Sequence, residues 1–241
     1  MEHLLIDIGN SNCKVAFYKD GKLGETQRGQ GLNILAFILS LIQTKYFDII
    51  VLSNVREDDI NMQKVLQTKC RKLIVLSTET QLPINLKYAF PATGLGADRI
   101  AAALAVAMLF PDKDCIKFDF GTALTVDFIN KDKVYEGGNI SIGMQSRFRA
   151  LNAFTKRLPL IKPDKEFGVM GTNTTEALTA GVVLGLIFEV EGYIKNNPNR
   201  TIIFTGGDSF YFAKKIKSPI FVVKNLVLAG LAQIADYYAE K

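Results

Sequence analysis

The chain reads as an α/β protein of two similar halves, each a mixed sheet with flanking helices. Two observations predict this. A phrase is used twice, first as His3-Leu4-Leu5-Ile6-Asp7-Ile8-Gly9-Asn10-Ser11 and then as Cys115-Ile116-Lys117-Phe118-Asp119-Phe120-Gly121-Thr122-Ala123. Each copy is an apolar run that ends in Asp, an apolar residue, Gly and a small polar residue, and then enters a second strand-like run. The segments after the first copy alternate between strand and helix patterns, which builds a sheet with helices on its faces, and the second half opens like the first. The two aspartates lie 112 positions apart in 241 residues, as two halves facing each other across a cleft would place them.

Physically, a buried strand delivers a carboxylate to its end, and the glycine after it lets the backbone turn tightly and approach a ligand. A hydroxyl or amide beside that glycine can bond phosphate oxygens or hold a metal's water. One Asp-x-Gly is also an ordinary turn; it is the repetition that carries the reading.

In the first half, Leu4 to Ile8 and Lys14 to Tyr18 are expected strands, with a turn at Asp20-Gly21 and a weaker strand near Leu23 to Arg28. Leu32, Leu35, Ala36, Leu39 and Ile42 have helical spacing, predicting an amphipathic helix over 32–46. A strand over 47–52, a helix over 58–69 and a strand over 72–76 follow. Thr78 to Gly96 holds Pro83, Pro91, Gly94 and Gly96 and reads as a loop. Asp98 and Arg99 then fall in the first turn of an apolar helix whose run Ile100–Phe110 is 11 residues long. Asp suits a helix N-terminus on dipole grounds alone; Arg does not, and is useful there when an anion binds.

Pro111 to Asp114 reads as the junction, which divides the chain into 1–113 and 114–241. Strands are expected at 116–120, 124–128 and 134–136. The three glycines of Gly137 to Gly143 are expected to interrupt regular structure, with a helix after them to about Phe154 and a loop over 158–167. A long helix starts near Gly171-Thr172-Asn173-Thr174-Thr175-Glu176, capped by Asn173 or Thr174. Gly181 and Gly185 share one of its faces, a pattern for close packing against another element, whether in the core or on a surface between two subunits. A strand over 201–205, a tight turn at Gly206-Gly207-Asp208, a helix over 210–216, a strand over 220–223 and a helix over 226–238 complete the chain.

Composition narrows the chemistry. A 48% hydrophobic and 22% charged chain is an ordinary globular one. The 11-residue apolar run is about half of a membrane span, and Asp7 comes too early for a secretory signal. Cys13, Cys70 and Cys115 lack metal-ligand spacing and read as reduced thiols in a cytoplasm. His3 is the sole histidine and opens an apolar strand, which argues against Ser-His-Asp and His-rich metal chemistry. The net charge of +5 is spread along the chain without aromatic interleaving, so neither a nucleic acid nor a membrane is expected as partner.

This arrangement resembles the sugar kinase, actin and heat-shock-70 superfamily, whose two ribonuclease-H-like halves each carry an Asp-x-Gly phosphate loop and bind nucleotide in the cleft between them. Thr205-Gly206-Gly207 resembles its adenosine loop. More narrowly, Asp7-Ile8-Gly9-Asn10-Ser11 with Lys14, Gly96-Ala97-Asp98-Arg99 and Asp119-Phe120-Gly121-Thr122-Ala123-Leu124-Thr125-Val126-Asp127 resemble the motifs of type III pantothenate kinases. So do Gly137-Gly138-Asn139-Ile140, Thr155 to Pro159 and Gly171-Thr172-Asn173-Thr174, and all occur in the family's order. The family usually has Thr where Ser11 stands and Pro where Ile142 stands.

The resemblance implies ATP-dependent phosphorylation of pantothenate to 4'-phosphopantothenate, the first step of coenzyme A biosynthesis, with Mg²⁺ and a monovalent cation, K⁺ or NH₄⁺. It places Asp98 as the proton acceptor. Tyr88, Gly96, Ala97 and Arg99 become substrate-pocket residues, and Arg99 can pair with the pantothenate carboxylate. Asp7, Ile8, Gly9, Asn10, Ser11, Asn12, Cys13 and Lys14 form the first ATP-binding stretch, with Thr122, Gly206 and Gly207 from the second half. Asp7 organises Mg²⁺ through water, Asp119 is the monovalent-cation ligand, and Asp127 is as well explained by structure as by function. A homodimer is implied, with Thr174 reaching the partner subunit's substrate. Two other readings are another small-molecule kinase of the superfamily and a non-catalytic nucleotide-binding regulator. Gly96-Ala97-Asp98-Arg99 counts against the first, and retention of Asp98 counts against the second.

Overall fold

A computed structural model describes residues 1–31, 33–57, 59–86, 94–162 and 167–241. Two compact units form. The first holds Met1–Asp112, Ile129–Gly137 and Asn225–Lys241, and the second Lys113–Phe128 and Gly138–Lys224. This division differs from a single cut at 113/114 in two places. The C-terminal helix returns to the first unit, because its apolar face packs there, and the 129–137 hairpin is counted there too.

The first unit opens with β1 (Glu2–Ile8) and β2 (Cys13–Lys19), paired antiparallel from Glu2↔Lys19 to Ile8↔Cys13. The expected third strand is two short ones, β3 (Lys22–Leu23) and β4 (Gln27–Gly29), both on β2. The ladder breaks between them, where Gly24 N–H donates to the Phe17 carbonyl at 2.8 Å. Next come α1 (Ile34–Ile42), β5 (Phe47–Asn54), α2 (Ile60–Gln67) and β6 (Cys70–Val75). The sheet order β3-β2-β1-β5-β6 is mixed, since β5 is parallel to both β1 and β6. Asn33 and Asp59 cap α1 and α2 with their side chains. The helix expected over 32–46 ends at Ile42, where Gln43 turns to φ 48°. Leu32 and Asp58 lie outside the described residues.

Side chains alternate across β1. Leu4, Ile6 and Ile8 join the core with Ile38 and Ile42 of α1 and Met62 and Leu66 of α2. His3, Leu5 and Asp7 therefore point to the opposite face, where β1 and β5 meet α7 (Leu226–Ala239), and β5 also meets α3 (Ala97–Leu109). These two helices touch at backbone distance. A Cβ on Gly230 of α7 would stand 1.9 Å from the Ala101 carbonyl oxygen. The alanine run Ala101-Ala102-Ala103 leaves α3 thin enough for this approach. The loop expected over 78–96 holds one short strand, β7 (Asn85–Leu86), paired with Val134 and Tyr135. Tyr88, Pro91 and Pro163 lie outside the described residues.

In the second unit, β8 (Cys115–Phe120) lies between β9 (Ala123–Ile129) and β11 (Thr201–Gly206), with β12 (Ile220–Val222) beyond β11. β10 (Val134–Ile142), whose first four residues are counted with the first unit, adjoins β9 and continues through the glycines expected to break it. Gly137 takes φ +136°, which a side chain would resist, and the strand passes through. α4 (Met144–Phe154), α5 (Thr174–Asn196) and the short α6 (Ser209–Ala213) cover one face. Ile116, Phe118 and Phe120 of β8 meet Phe148, Leu186, Val190 and Phe212 there, with Phe120 stacked on Phe212 at 4.8 Å between ring centres. α5 has the length and hydropathy of a membrane span, yet Leu178, Val182, Val183, Leu186, Ile187 and Val190 belong to this core.

Candidate functional site

In the first unit, register alone gathers polar groups at the end of β1. Asp7 stands opposite Lys14 on β2 and beside Ser53 on β5, so the three side chains share one face at the sheet's edge. Lys14 Nζ lies 3.7 Å from Asp7 Oδ2, and Ser53 Oγ donates to Asp7 Oδ1 at 3.4 Å. Beyond them, Gly9 N–H donates to the Asn12 carbonyl at 2.9 Å and closes the turn over Asn10 and Ser11. Cys13 lies buried in the same hairpin. Burial pushes its thiol up to about 12, the Asp7 carboxylate adds to this, and Arg56 opposes it.

Arg56 was not among the expected residues. Its Nε donates to the Gly9 carbonyl at 2.9 Å and its NH2 to the Asn10 carbonyl at 3.0 Å. The signal in the sequence was slight: polar Ser53, Asn54 and Arg56 at the end of a buried strand.

Gly96, Ala97, Asp98 and Arg99 open α3. Gly96 is the N-cap, and its carbonyl accepts the N–H groups of Arg99 and Ile100 at 3.0 and 3.1 Å. Asp98 Oδ1 accepts the Arg99 N–H at 2.8 Å, within the first turn. The same oxygen stands 2.8 Å from where a Cβ of residue 96 would sit, so a side chain there would make that carboxylate shift. Arg99 is buried, so its charge is held in the fold and does not lie along the surface.

In the second unit, Asp119 is the last residue but one of β8, on the face away from the aromatic core. The register Thr205↔Asp119 and Gly206↔Phe120 brings the second Asp-x-Gly against the Gly206-Gly207 turn. Gly206 has φ +90°, and a Cβ there would lie 2.5 Å from both Asp119 Oδ1 and the Phe120 carbonyl oxygen. Two oxygens thus converge on the space that the missing side chain leaves. Thr122 is held from outside its own loop: its carbonyl accepts Gly143 N–H at 3.1 Å and Ser146 Oγ–H at 2.7 Å. A Cβ on Gly143 would be 2.1 Å from the Gly121 carbonyl oxygen, so the start of α4 needs glycine to reach that loop. Beside the turn, burial raises the Asp208 carboxyl above its ordinary value.

Asp127 forms a 2.5 Å ion pair with Lys117, and both side chains are almost fully buried (0% and 1% exposed). Lys117 Nζ also donates to Thr125 Oγ1 at 3.3 Å. This pair accounts for Asp127 in structural terms.

Thr174 is the first residue of α5. Asn173 caps the helix, its Oδ1 accepting Glu176 N–H at 3.0 Å, while the Glu176 carboxylate accepts the Thr172 N–H and hydroxyl at 2.9 and 2.7 Å. Those bonds from Thr172 hold the Glu176 carboxyl below its ordinary value. Between α4 and α5 runs a groove of about 750 Å³, lined by Leu151, Phe154, Thr174, Leu178 and Gly181 among others. Gly181 faces open space there, and Gly185 meets only Arg147 NH1, at 3.6 Å. The close packing expected of this glycine pair is therefore not made within the described chain.

Among the described residues no three His, Cys, Asp or Glu side chains gather as a metal site. A divalent cation held near Asp7 would take its ligands from water and phosphate, as Mg²⁺ commonly does. The oxygens at Asp119 suit a hard cation, which prefers oxygen donors.

Solved structures share this fold at low identity. A protein of Campylobacter jejuni assigned to the Baf family of transcriptional activators matches with a TM-score of 0.64 at 22% identity, covering 99% of this chain and 100% of that one. The activator of 2-hydroxyisocaproyl-CoA dehydratase from Clostridium difficile, solved with ADPNP, matches at 0.60 and 14%, covering 100% and 96%. MreB 5 of Spiroplasma citri, solved with AMPPNP, matches at 0.56 and 11%, covering 99% and 97%. The chain therefore has the fold of these structures. Sequence relatives go further. The protein named type III pantothenate kinase from Phocaeicola vulgatus is 41% identical over 98% of both chains, and that from Cytophaga hutchinsonii is 39% identical over 98% of this chain and 99% of its own. The sequence model of type III pantothenate kinase matches residues 3–196, and the chain belongs to that family.

Proposed function

We propose that the chain transfers the γ-phosphoryl group of ATP to the primary hydroxyl of pantothenate, giving 4'-phosphopantothenate at the start of coenzyme A biosynthesis. The carrying observation is family membership across nearly the whole chain.

Phosphoryl transfer needs an aligned acceptor hydroxyl, charge neutralisation and a group that takes the proton. In the first unit, Asp98 is the proton acceptor, and its fixed place in the first turn of α3 supports this. Gly96 and Ala97 admit pantothenate close to the backbone, and Arg99 meets its carboxylate; Tyr88 stays a family-derived assignment. Asp7, Ile8, Gly9, Asn10, Ser11, Asn12, Cys13 and Lys14 serve the ATP phosphates, with Asp7 holding Mg²⁺ through water. Bound Mg²⁺ neutralises phosphate charge. In the second unit, Thr122 serves the phosphates and Gly206 and Gly207 the adenosine. Asp119 binds K⁺ or NH₄⁺, supported by the paired oxygens beside Gly206.

The chain works as a homodimer in the cytoplasm. The α4–α5 groove and the exposure of Phe154 (89%) support the dimer, since a wide apolar surface favours a partner. Thr174 lines that groove, consistent with service to the partner's substrate. Three unpaired, buried cysteines agree with a reducing compartment.

The test is ADP release by purified protein with ATP, Mg²⁺ and pantothenate, in K⁺ and again in Na⁺ alone. Pantothenate-dependent release that needs K⁺ is expected. Release without a K⁺ requirement removes the cation role of Asp119, and no release in either salt overturns the substrate assignment.

A further inference from the structure

The geometry points to Arg56 as a positioning residue that sets the conformation of the Gly9–Asn12 loop for phosphate binding. The guanidinium forks onto two consecutive carbonyls, those of Gly9 and Asn10, at 2.9 and 3.0 Å. In a trans peptide the carbonyl and the following N–H point in opposite directions, and this chain has no cis peptide among its described residues. Drawing the Gly9 and Asn10 carbonyls toward Arg56 therefore turns the N–H groups of Asn10 and Ser11 to the side away from the cation. Two successive N–H groups facing one way form a concavity that attracts anions.

The fork has a second effect. In a closed hairpin, Gly9 and Asn12 would exchange two bonds. Gly9 N–H does donate to the Asn12 carbonyl, but the reciprocal bond is not made, and Arg56 occupies the Gly9 carbonyl instead. The turn is thereby closed by one backbone bond, with the Gly9 carbonyl held by Arg56.

Arg56 is itself anchored. Its backbone N–H donates to Asn54 Oδ1 at 3.0 Å, and Asn54 Nδ2 donates to the Glu57 carbonyl at 3.2 Å. Asn54 pairs with Ile8 across the parallel β1–β5 ladder, and Val55 N–H donates to the Ile8 carbonyl at 3.1 Å. The arginine thus starts from a backbone in register with the loop it holds. A planar fork with fixed donor spacing suits two adjacent carbonyls; an ammonium is a point charge without that fixed spacing.

This rests on reading Gly9–Asn12 as a phosphate loop, and the wild-type enzyme tests that reading by itself. Arg56→Ala and Arg56→Lys are compared with wild type by steady-state ADP release, varying ATP and pantothenate separately, with thermal unfolding and binding of a fluorescent ATP analogue alongside. For R56A we expect the KM for ATP to rise by roughly tenfold, with the KM for pantothenate within about twofold, because charge-assisted bonds to the nucleotide loop alone are lost. R56K should fall between R56A and wild type, and added methylguanidinium should restore part of the ATP affinity of R56A. Equal rises in both KM values, or an ATP KM within about twofold of wild type in folded R56K, would overturn the proposal. Lower thermal stability with unchanged ATP affinity would also overturn it, leaving Arg56 a merely structural residue. Failure of the wild-type enzyme to bind or use ATP would instead sink the loop reading on which the proposal stands.

Discussion

The two Asp-x-Gly hairpins are nearly the same phrase, and the fold treats them differently. The first is held by side chains: Lys14 and Ser53 at its aspartate, Arg56 at its carbonyls. Its glycine is roomy, since a Cβ on Gly9 would meet only the Asn12 carbonyl oxygen, at 3.4 Å. The second is held by backbone. Gly143 and Gly206 press against it at distances that no Cβ tolerates, and no described lysine ion-pairs with Asp119 as Lys14 does with Asp7. The second half does have a lysine–aspartate pair, but it is Lys117–Asp127, sealed in the fold. A repeated motif thus marks repeated topology, while the surrounding residues decide the chemistry. A carboxylate beside an ammonium and a carboxylate beside a carbonyl oxygen are different environments, and the second offers a hard cation two oxygen donors.

The comparison can be tested, beginning with the largest effect. Asp98→Asn, on neither loop, sets the scale: a loss of about 10²- to 10⁴-fold in kcat with ATP binding retained, the usual worth of a general base. Unchanged turnover would remove Asp98 from the reaction. Next, the two lysine pairs should separate in thermal and denaturant unfolding. Lys117→Met strands a buried carboxylate and should cost about 3–5 kcal/mol, with recovery on adding Asp127→Leu. Lys14→Met should cost about 1 kcal/mol or less, since Lys14 is partly exposed. Equal costs would erase the distinction between the halves.

The glycines give a smaller contrast. Gly206→Ala forces a Cβ onto two oxygens at a positive φ and should lower stability by about 1–3 kcal/mol, whereas Gly9→Ala should cost less than about 1 kcal/mol in the nucleotide-free protein. Asp119→Asn should abolish the difference between K⁺ and Na⁺ in ADP release, and Asp7→Asn should lower release in both salts. The smallest effect concerns Cys13. With its thiol pushed up to about 12, labelling by a thiol reagent at pH 8 should be negligible until the protein unfolds. The sign of the linkage is that of an acid whose native pKa is raised. The native state keeps its proton longer, so stability falls as pH rises from the ordinary value of 9.0 toward about 12, and Cys13→Ala should flatten that slope.

Much of this architecture is legible before any coordinates. The paired hairpins, the helix beginning at Ala97 and the Asn173 cap of α5 all rest on local signals: alternation, 3.6-residue spacing and side chains that satisfy nearby N–H groups. The candidate aspartates are equally local, each at the end of a recognisable apolar run or in the first turn of a helix. One reading failed for want of a distant partner: Gly137 and Gly138 continue a strand because β10 lies beside β9. Nor does local pattern show that Gly181 has open space beside it, or that Gly230 of the C-terminal helix admits the backbone of α3.

By itself, then, the sequence determined most of the strands and helices, where Asp7 and Asp119 sit on their strands, and to which family the chain belongs. Only the tertiary structure decided what each aspartate faces. Arg56 reaches Gly9 across 47 positions, Ser53 reaches Asp7 across 46, and Gly206 meets Asp119 through a parallel strand pairing. Local periodicity records the angle between neighbouring residues along the chain, and such contacts depend on strand order and register, which no single segment encodes.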